Sequence, residues 1–543
     1  MEAAAPGRAA DRSRQAGPAP TGGVSAGKPL HTSRLMMDQK IIVAARIFRR
    51  PPAFWFDPPP AAIYKRGMPR TLVINVAGLG RDLVPRIPCL RALADAGALL
   101  DLEPVLPATT CPMQATLTTG QPPGRSEAGP GHGIVADGLY FPDTAEVRFW
   151  EQSAHLLGAP RVWGHRMPNA ECGMRNENDN GKDAAGAAST PHSPLPTPHP
   201  KVAMLFWQQS MYGSADIVLT PKPVHGPEGL IQDVYSRPAG LYRRLVEGDS
   251  ALDPGRPRGP FNLMDYWGPR AGLGASRWIA DATLAVWRGE RPDLLLAYLP
   301  HLDYSGHRDG PDSGVHRDAA AELEPLLAPL LAAACEDGAG VLVLSEYAFL
   351  PVARPVAPNG ALREAGLLAV REIEGREYLY PGDSRAFALV DNQVAHVYFP
   401  ASVDPEADGR KAKRCLSRLD GVAEVLDRAA MAERGLDHPR SGRLVLLADP
   451  DAHFTYYWWL QEAKAPAFAP TVDIHAKPGF DAAELFVEPG TRRVPLSARR
   501  VRGSHGLVLE DGRGWGVLIA SPAPKELAGR TAVHATEVAG LLA

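Results

Sequence analysis

Apolar runs with the length of buried strands recur along this chain, and helical patterns lie between them. The clearest run is Leu294-Leu-Leu-Ala-Tyr-Leu299, closed by Pro300. Further runs occupy residues 71–77, 201–207, 340–344, 386–398, 443–448 and 514–520, and 99–106 is partly apolar. Helical periodicity falls on 88–96, 314–335 and 410–419. Residues 113–120 read as a short helix closed by Gly120, with Pro112 in its first turn, where a missing N–H costs nothing. Strands alternating with helices predict an α/β fold with a mostly parallel sheet covered on both faces. The runs at 72–77, 294–299 and 340–344 are nearly continuously apolar, so they are expected as neighbouring central strands.

Two segments break this pattern. The first 67 residues are rich in Ala, Gly, Pro and Arg, show no periodicity and lack the apolar core of a secretory signal. A disordered extension over 1–67 is expected, with the folded domain beginning at Met68 and running to 543. Arg and Ser outnumber acids early on, as in a transit peptide, but Glu2 and Asp11 run against that reading. Gly23-Val-Ser-Ala-Gly27 has the form of a serine-hydrolase elbow, yet no strand precedes it and no helix follows, so it reads as chance. The second segment, about 171–200, is polar and proline-rich and is expected to be a solvated insertion carrying His192 and His199.

Composition narrows the class. The 543 residues suit one large domain with an insertion or cap. A net charge of −3 and a pI near 6.6 give no basic field, so no nucleic-acid polymer is expected as partner. No apolar run reaches the roughly 18 residues of a membrane span. The nearest candidate, 323–335, contains Glu324 and two prolines and reads as a packed helix. Five scattered cysteines (89, 111, 172, 335 and 415) form no disulfide framework, which favours a reducing, cytoplasmic setting.

Candidate chemistry sits where strands end. After the 294–299 run, Asp303 and His307 follow four residues apart, and ligands of open α/β sheets gather beyond the carboxyl ends of strands. A carboxylate and an imidazole so spaced can grip one divalent ion. Thr110, in Pro107-Ala-Thr-Thr-Cys-Pro112, sits where a strand hands over to a helix N-terminus, a place suited to phosphate.

In order and spacing these segments resemble the type I phosphodiesterase/nucleotide pyrophosphatase family of the alkaline phosphatase superfamily. Pro107 to Pro112 matches its Pro-x-x-Thr-x-Pro nucleophile motif, with Thr110 in the nucleophile position. Gly120 to Ile134 matches its Gly-x-x-Pro-x-x-His-Gly-Ile turn, opened by six extra residues, and Asp303 to His307 matches Asp-x-x-Gly-His without gaps. The resemblance covers the chain from about residue 72 onward. It implies an alkaline phosphatase-like fold, a covalent phospho-threonine intermediate, and a metal held by Asp303, His307 and a late histidine. That histidine is His505, in Gly503-Ser-His-Gly506, or His475, in Asp473-Ile-His-Ala-Lys477. Zinc is the expected ion.

The chain departs from the family pattern at the second metal. Ala77 stands where the family has a first-strand Asp, and Ser345-Glu346-Tyr347-Ala348 stands in place of Ser-Asp-His-Gly. Glu346 keeps a carboxylate one methylene longer; Tyr347 offers a protonated phenol, a poor ligand. Asn75 and Asp82 are possible substitutes. Asp137 occupies the position of a phosphate-binding Asn, and a carboxylate repels phosphate unless protonated or metal-bound; an ordinary surface Asp before Gly138 is the simpler expectation. Two functions follow from this mixture. One is a metal-dependent hydrolase of a phosphodiester, nucleotide pyrophosphate or related small phosphate ester. The other is a non-catalytic member of the fold acting as a binding or scaffold component of a biosynthetic pathway. Neither calls for a membrane, and oligomeric state is left open.

Overall fold

The computed structural model describes residues 70–127, 129–164, 200–226, 229–252 and 258–542. The expected extension over 1–67, with Gly23–Gly27, lies outside the described residues, as does the insertion through residue 199. Among the described residues, a nine-stranded sheet forms the centre. From edge to edge its strands are Ala532–His534, Ala98–Glu103, Gly516–Ser521, Gly340–Leu344, Thr71–Val76, Leu294–Leu299, Val202–Leu205, Ile217–Pro221 and Val234–Arg237.

The three runs expected as neighbours are neighbours. Thr71–Val76 pairs in parallel with Leu294–Leu299 on one side and Gly340–Leu344 on the other. Parallel pairing continues through Val202–Leu205 to Ile217–Pro221. Gly516–Ser521 runs antiparallel between Gly340–Leu344 and Ala98–Glu103, so the sheet is mixed but mostly parallel. Helices bury both faces, which is why these strands show apolar residues at consecutive positions rather than in alternation. Trp287 and Ile279, of helix Leu273–Gly289, pack on one face, and Met113 and Leu117, of helix Thr110–Thr119, on the other. Leu296 is fully buried in the central strand. Leu296→Ala is expected to lower unfolding free energy by about 2–5 kcal/mol, read from the denaturant midpoint at unchanged slope.

A second, four-stranded antiparallel sheet orders Phe387–Asp391, Val394–Tyr398, Leu444–Ala448 and Val422–Leu426. It corrects the reading of 386–398 as one strand: the run is a hairpin, turned at Asn392, whose φ of 57° is left-handed. The helical pattern at 314–335 is likewise two helices, Gly314–Ala321 and Glu324–Glu336, with Pro325 at the start of the second. The pattern at 410–419 begins earlier, at Pro405, and ends at Leu416. No helix among the described residues is long and apolar enough to cross a membrane.

Candidate active site

The site lies beyond the carboxyl ends of the central strands. Leu294–Leu299 gives way at Pro300 to helix His301–Asp309, whose first turn carries Asp303 and whose next turn carries His307. The two-residue strand Gly503–Ser504 pairs with Leu350–Pro351 and delivers His505. Gly306 permits the helix to approach this far, because a Cβ there would stand 2.3 Å from the Phe349 ring.

Asp303, His307 and His505 converge. The Nε2 atoms of His307 and His505 lie 3.6 and 3.8 Å from Asp303 Oδ1, and ligand atoms of all three fall within 4.8 Å of one another. Each Nδ1 meets a backbone carbonyl at 2.9 Å, His307 on Gly503 and His505 on Ala108. A carbonyl only accepts, so both rings carry the proton on Nδ1 and turn an Nε2 lone pair toward Asp303. His307 Nε2 is buried with no hydrogen-bond partner. Burial pushes both imidazoles below their usual range and raises the Asp303 carboxyl. Neutral imidazoles fixed from behind are what a divalent cation requires.

Thr110 is the first residue of helix Thr110–Thr119, as its place before Pro112 predicts. Its hydroxyl lies 3.3 Å from Glu346 Oε2 and 3.3 Å from the Tyr347 hydroxyl. Tyr347 donates to Asp303 Oδ1 at 3.0 Å and stacks on His505 with ring centroids 3.5 Å apart. Asn75, near the end of its strand, donates to Glu346 Oε1 at 2.6 Å. Glu346 is fully buried, and that burial lifts its carboxyl to about 8. Burial also raises the Tyr347 phenol, so it stays protonated.

Several expected roles take a different shape. His475 is not part of the three-residue cluster; it lies on the cleft wall, in a loop held by buried Lys477 between Asp481 and Glu484 at 2.9 and 2.7 Å. Glu346 is not part of it either and instead faces Thr110. Ala77, just after its strand, is fully buried and its side chain offers no ligand atom, and Asp82 is exposed. Asp137 corrects the surface reading: it is buried, and its Oδ1 accepts the Cys111 N–H at 2.6 Å. Its own N–H donates to Asp391 Oδ2 at 2.8 Å, and Thr109 Oγ1 donates to the same oxygen at 3.3 Å. Burial first, then the charge of Asp391, holds the Asp137 carboxyl well above the usual range. Asp391 carries a turn signal with Asn392 inside the 386–398 run, but nothing in the sequence places it beside Asp137. His132 is structural: its Nε2 meets Thr116 Oγ1 at 2.9 Å and its Nδ1 accepts from Ile134 N–H at 3.1 Å.

The fold and the sequence both have known counterparts. Phosphonoacetate hydrolase from Sinorhizobium meliloti 1021, solved with phosphonoformate, is similar over 88% of this chain and 95% of its own, at 16% identity and a TM-score of 0.52. The same enzyme with phosphonoacetate gives 15% identity over 88% and 95%, with a TM-score of 0.50. Murine ectonucleotide pyrophosphatase/phosphodiesterase 5 covers 87% of this chain and 94% of its own at 13% identity, with a TM-score of 0.48. No curated protein sequence matches the chain. The family model for type I phosphodiesterase/nucleotide pyrophosphatase matches residues 71–481, most of the sequence, and the chain belongs to that family.

Proposed function

We propose that this protein is a metal-dependent hydrolase of small phosphate esters that uses Thr110 Oγ as its nucleophile. One observation carries the reading: the Thr110 hydroxyl, at a helix N-terminus, contacts Glu346 and Tyr347, and Tyr347 bonds the carboxylate of the Asp303–His307–His505 cluster. The donor set fits a divalent ion, because the orphaned His307 Nε2 needs a partner that the protein does not supply. Two imidazoles and one carboxylate with an open position suit a catalytic zinc. Asp303, His307 and His505 would hold the ion, which when bound supplies positive charge against the phosphoryl oxygens of substrate.

The chain's own groups account for the proton. Thr110 Oγ bonds to phosphorus as the ester P–O bond breaks, the hydroxyl proton passes to Glu346 Oε2, and the leaving oxygen departs with the electron pair. Water then attacks phosphorus and releases a proton to solvent, the bond from phosphorus to Thr110 Oγ breaks, and Glu346 returns its proton to that oxygen. Asn75 fixes the other Glu346 oxygen, so the carboxylate faces Thr110 in one orientation. Here Glu346 serves as general base in place of a second cation, since Ala77 offers no ligand and the Tyr347 proton is engaged on Asp303. Acid-quenched protein incubated with zinc and bis(4-nitrophenyl) phosphate should carry the phosphoryl fragment on the peptide containing Thr110. An unmodified peptide under turnover rules out the covalent route.

The pH dependence follows from Glu346. Only the ionised carboxylate accepts a proton, so with a value lifted to about 8 the active fraction rises with pH. A cation in the neighbouring cluster favours the ionised form, so the midpoint of the rising limb is expected at or below about 8. Glu346→Gln should lower kcat by roughly 10²–10⁴-fold and flatten that limb. A variant profile that keeps the limb assigns the base to another group.

The non-catalytic reading has one observation in its favour: the Asp137 carboxyl occupies the Cys111 N–H at the helix N-terminus, where a phosphoryl oxygen would otherwise bond. On that reading the protein binds a ligand in the same cleft, and the phospho-threonine trap stays empty with every ester.

A further inference from the structure

The cleft above Thr110 carries a substrate preference that family membership does not supply. Its cavity measures about 110 Å³ and opens to solvent at the mouth. Around the space beyond Thr110 and Asp303 stand Trp150, Tyr266, Trp267, Tyr304 and Phe480. Neither lysine nor arginine lines this cleft among the described residues, whereas Asp137, Asp303 and Asp473 do. Lys222 and Arg148 line an adjoining depression past Trp150, where Arg148 is already paired with Glu146 at 2.6 Å, and Lys477, behind the wall, is paired with Asp481 and Glu484.

The aromatic walls are fixed rather than adaptable. Trp267 Nε1 donates to Glu484 Oε2 at 2.6 Å, and Glu484 is itself clamped by buried Lys477. Tyr304 donates to the Tyr266 carbonyl. Trp150 sits at φ 60°, an unfavourable conformation for a bulky residue, held by its N–H donating to the Asp137 carbonyl at 3.1 Å. The hairpin Gly138–Phe141/Glu146–Phe149 thus sets Asp137 by the nucleophile and Trp150 on the wall from the same base. The amide of Gln152, a polar wall group, is engaged by Gln208, the Trp150 carbonyl and Thr220.

Charge then selects. A divalent ion held by one carboxylate and two neutral imidazoles leaves one net positive charge, and an ionised Glu346 beside Thr110 offsets it further, so the site matches no more than one negative charge on substrate. A second phosphate in the cleft would face aromatic carbon and carboxyl groups, with no cation to meet it. We propose, on the basis of the hydrolase reading above, that this site takes a singly charged phosphodiester bearing neutral aromatic or apolar groups and discriminates against pyrophosphates. Aromatic substituents gain stacking on the tryptophans and tyrosines without a counter-charge.

The test separates ligand class from catalysis. Zinc-loaded Thr110→Ala protein, which cannot form the covalent intermediate, is titrated calorimetrically with diphenyl phosphate and with the dinucleotide pyrophosphate P1,P2-diadenosine diphosphate. Diphenyl phosphate is expected to bind at least about 10-fold tighter, and Met264→Lys, which places a cation on the cleft wall, should narrow or reverse the ratio. In the wild type, kcat/KM for bis(4-nitrophenyl) phosphate should exceed that for the pyrophosphate by the same factor or more. Equal or tighter pyrophosphate binding, or no binding of either ligand, overturns the proposal. Preferred diphenyl phosphate binding without turnover of any ester leaves the ligand class standing and removes the hydrolase reading instead.

Discussion

Thr110→Ala is expected to abolish phosphoester hydrolysis, with a loss on the order of 10⁴-fold or more in kcat, while leaving metal content and melting temperature nearly unchanged. The size follows from the position of the hydroxyl. It is the group aimed into the cleft from the helix N-terminus, and it touches both Glu346 and Tyr347. No neighbour can replace it as nucleophile, because the next side chain, Cys111, is buried and its thiol is pushed well above the usual range by that burial. Stability should hold for a related reason. Removing the hydroxyl leaves Glu346 bonded to Asn75 and Tyr347 bonded to Asp303, so neither buried group is orphaned. Alanine is also well suited to the first helical turn. Thr110→Ser should retain measurable turnover, since it keeps the oxygen and loses only a methyl. An alanine variant as active as the wild type would show that the chemistry does not pass through this residue.

How far the site was legible in sequence depends on how local each signal is. Thr110 was marked by its own neighbours, a proline on each side and a following helix closed by Gly120 at φ 69°. Asp303 and His307 were marked by one helical turn of spacing after an apolar strand. The central strands were legible because burial on both faces makes them continuously apolar. His505 and His475 could not be separated, because the choice depends on where two distant loops pack. His505 reaches the cluster by bonding to Ala108, 397 residues earlier in the chain. Asp137 was misread for the same reason, since the Asp391 beside it lies 254 residues away. Other elements carry local signals in the sequence. Asp391-Asn392 inside an apolar run is turn-prone, and the hairpin turns there. Asp404-Pro405 is an N-cap followed by a proline at the first helical position, and the Asp404 side chain accepts the Ala407 N–H at 3.0 Å.

Asp303→Asn should remove the protein's response to zinc without unfolding it. Wild-type protein with zinc at about 100 times its dissociation constant should gain roughly 2.7 kcal/mol of stability, because the ion binds only the folded chain. That gain rests on Asp303 more than on either histidine. It is the single anionic member of the cluster, and its Oδ1 faces both Nε2 atoms, at 3.6 and 3.8 Å. Asparagine keeps the shape and still accepts the Tyr347 hydroxyl through its carbonyl oxygen, so the packing around His505 is preserved. Without metal the variant should be at least as stable as the wild type. Burial raises the Asp303 carboxyl in the folded chain above its unfolded value, so the metal-free wild type loses stability as pH rises through that raised value. A neutral asparagine escapes this loss, and the metal-free difference between the two proteins should therefore widen as pH rises from the ordinary carboxylate range through that raised value, then level off. Thermal melts with and without zinc across a pH series read all of these outcomes. A variant that keeps the full zinc-induced shift would place the cation elsewhere and detach Asp303, His307 and His505 from the chemistry proposed for Thr110.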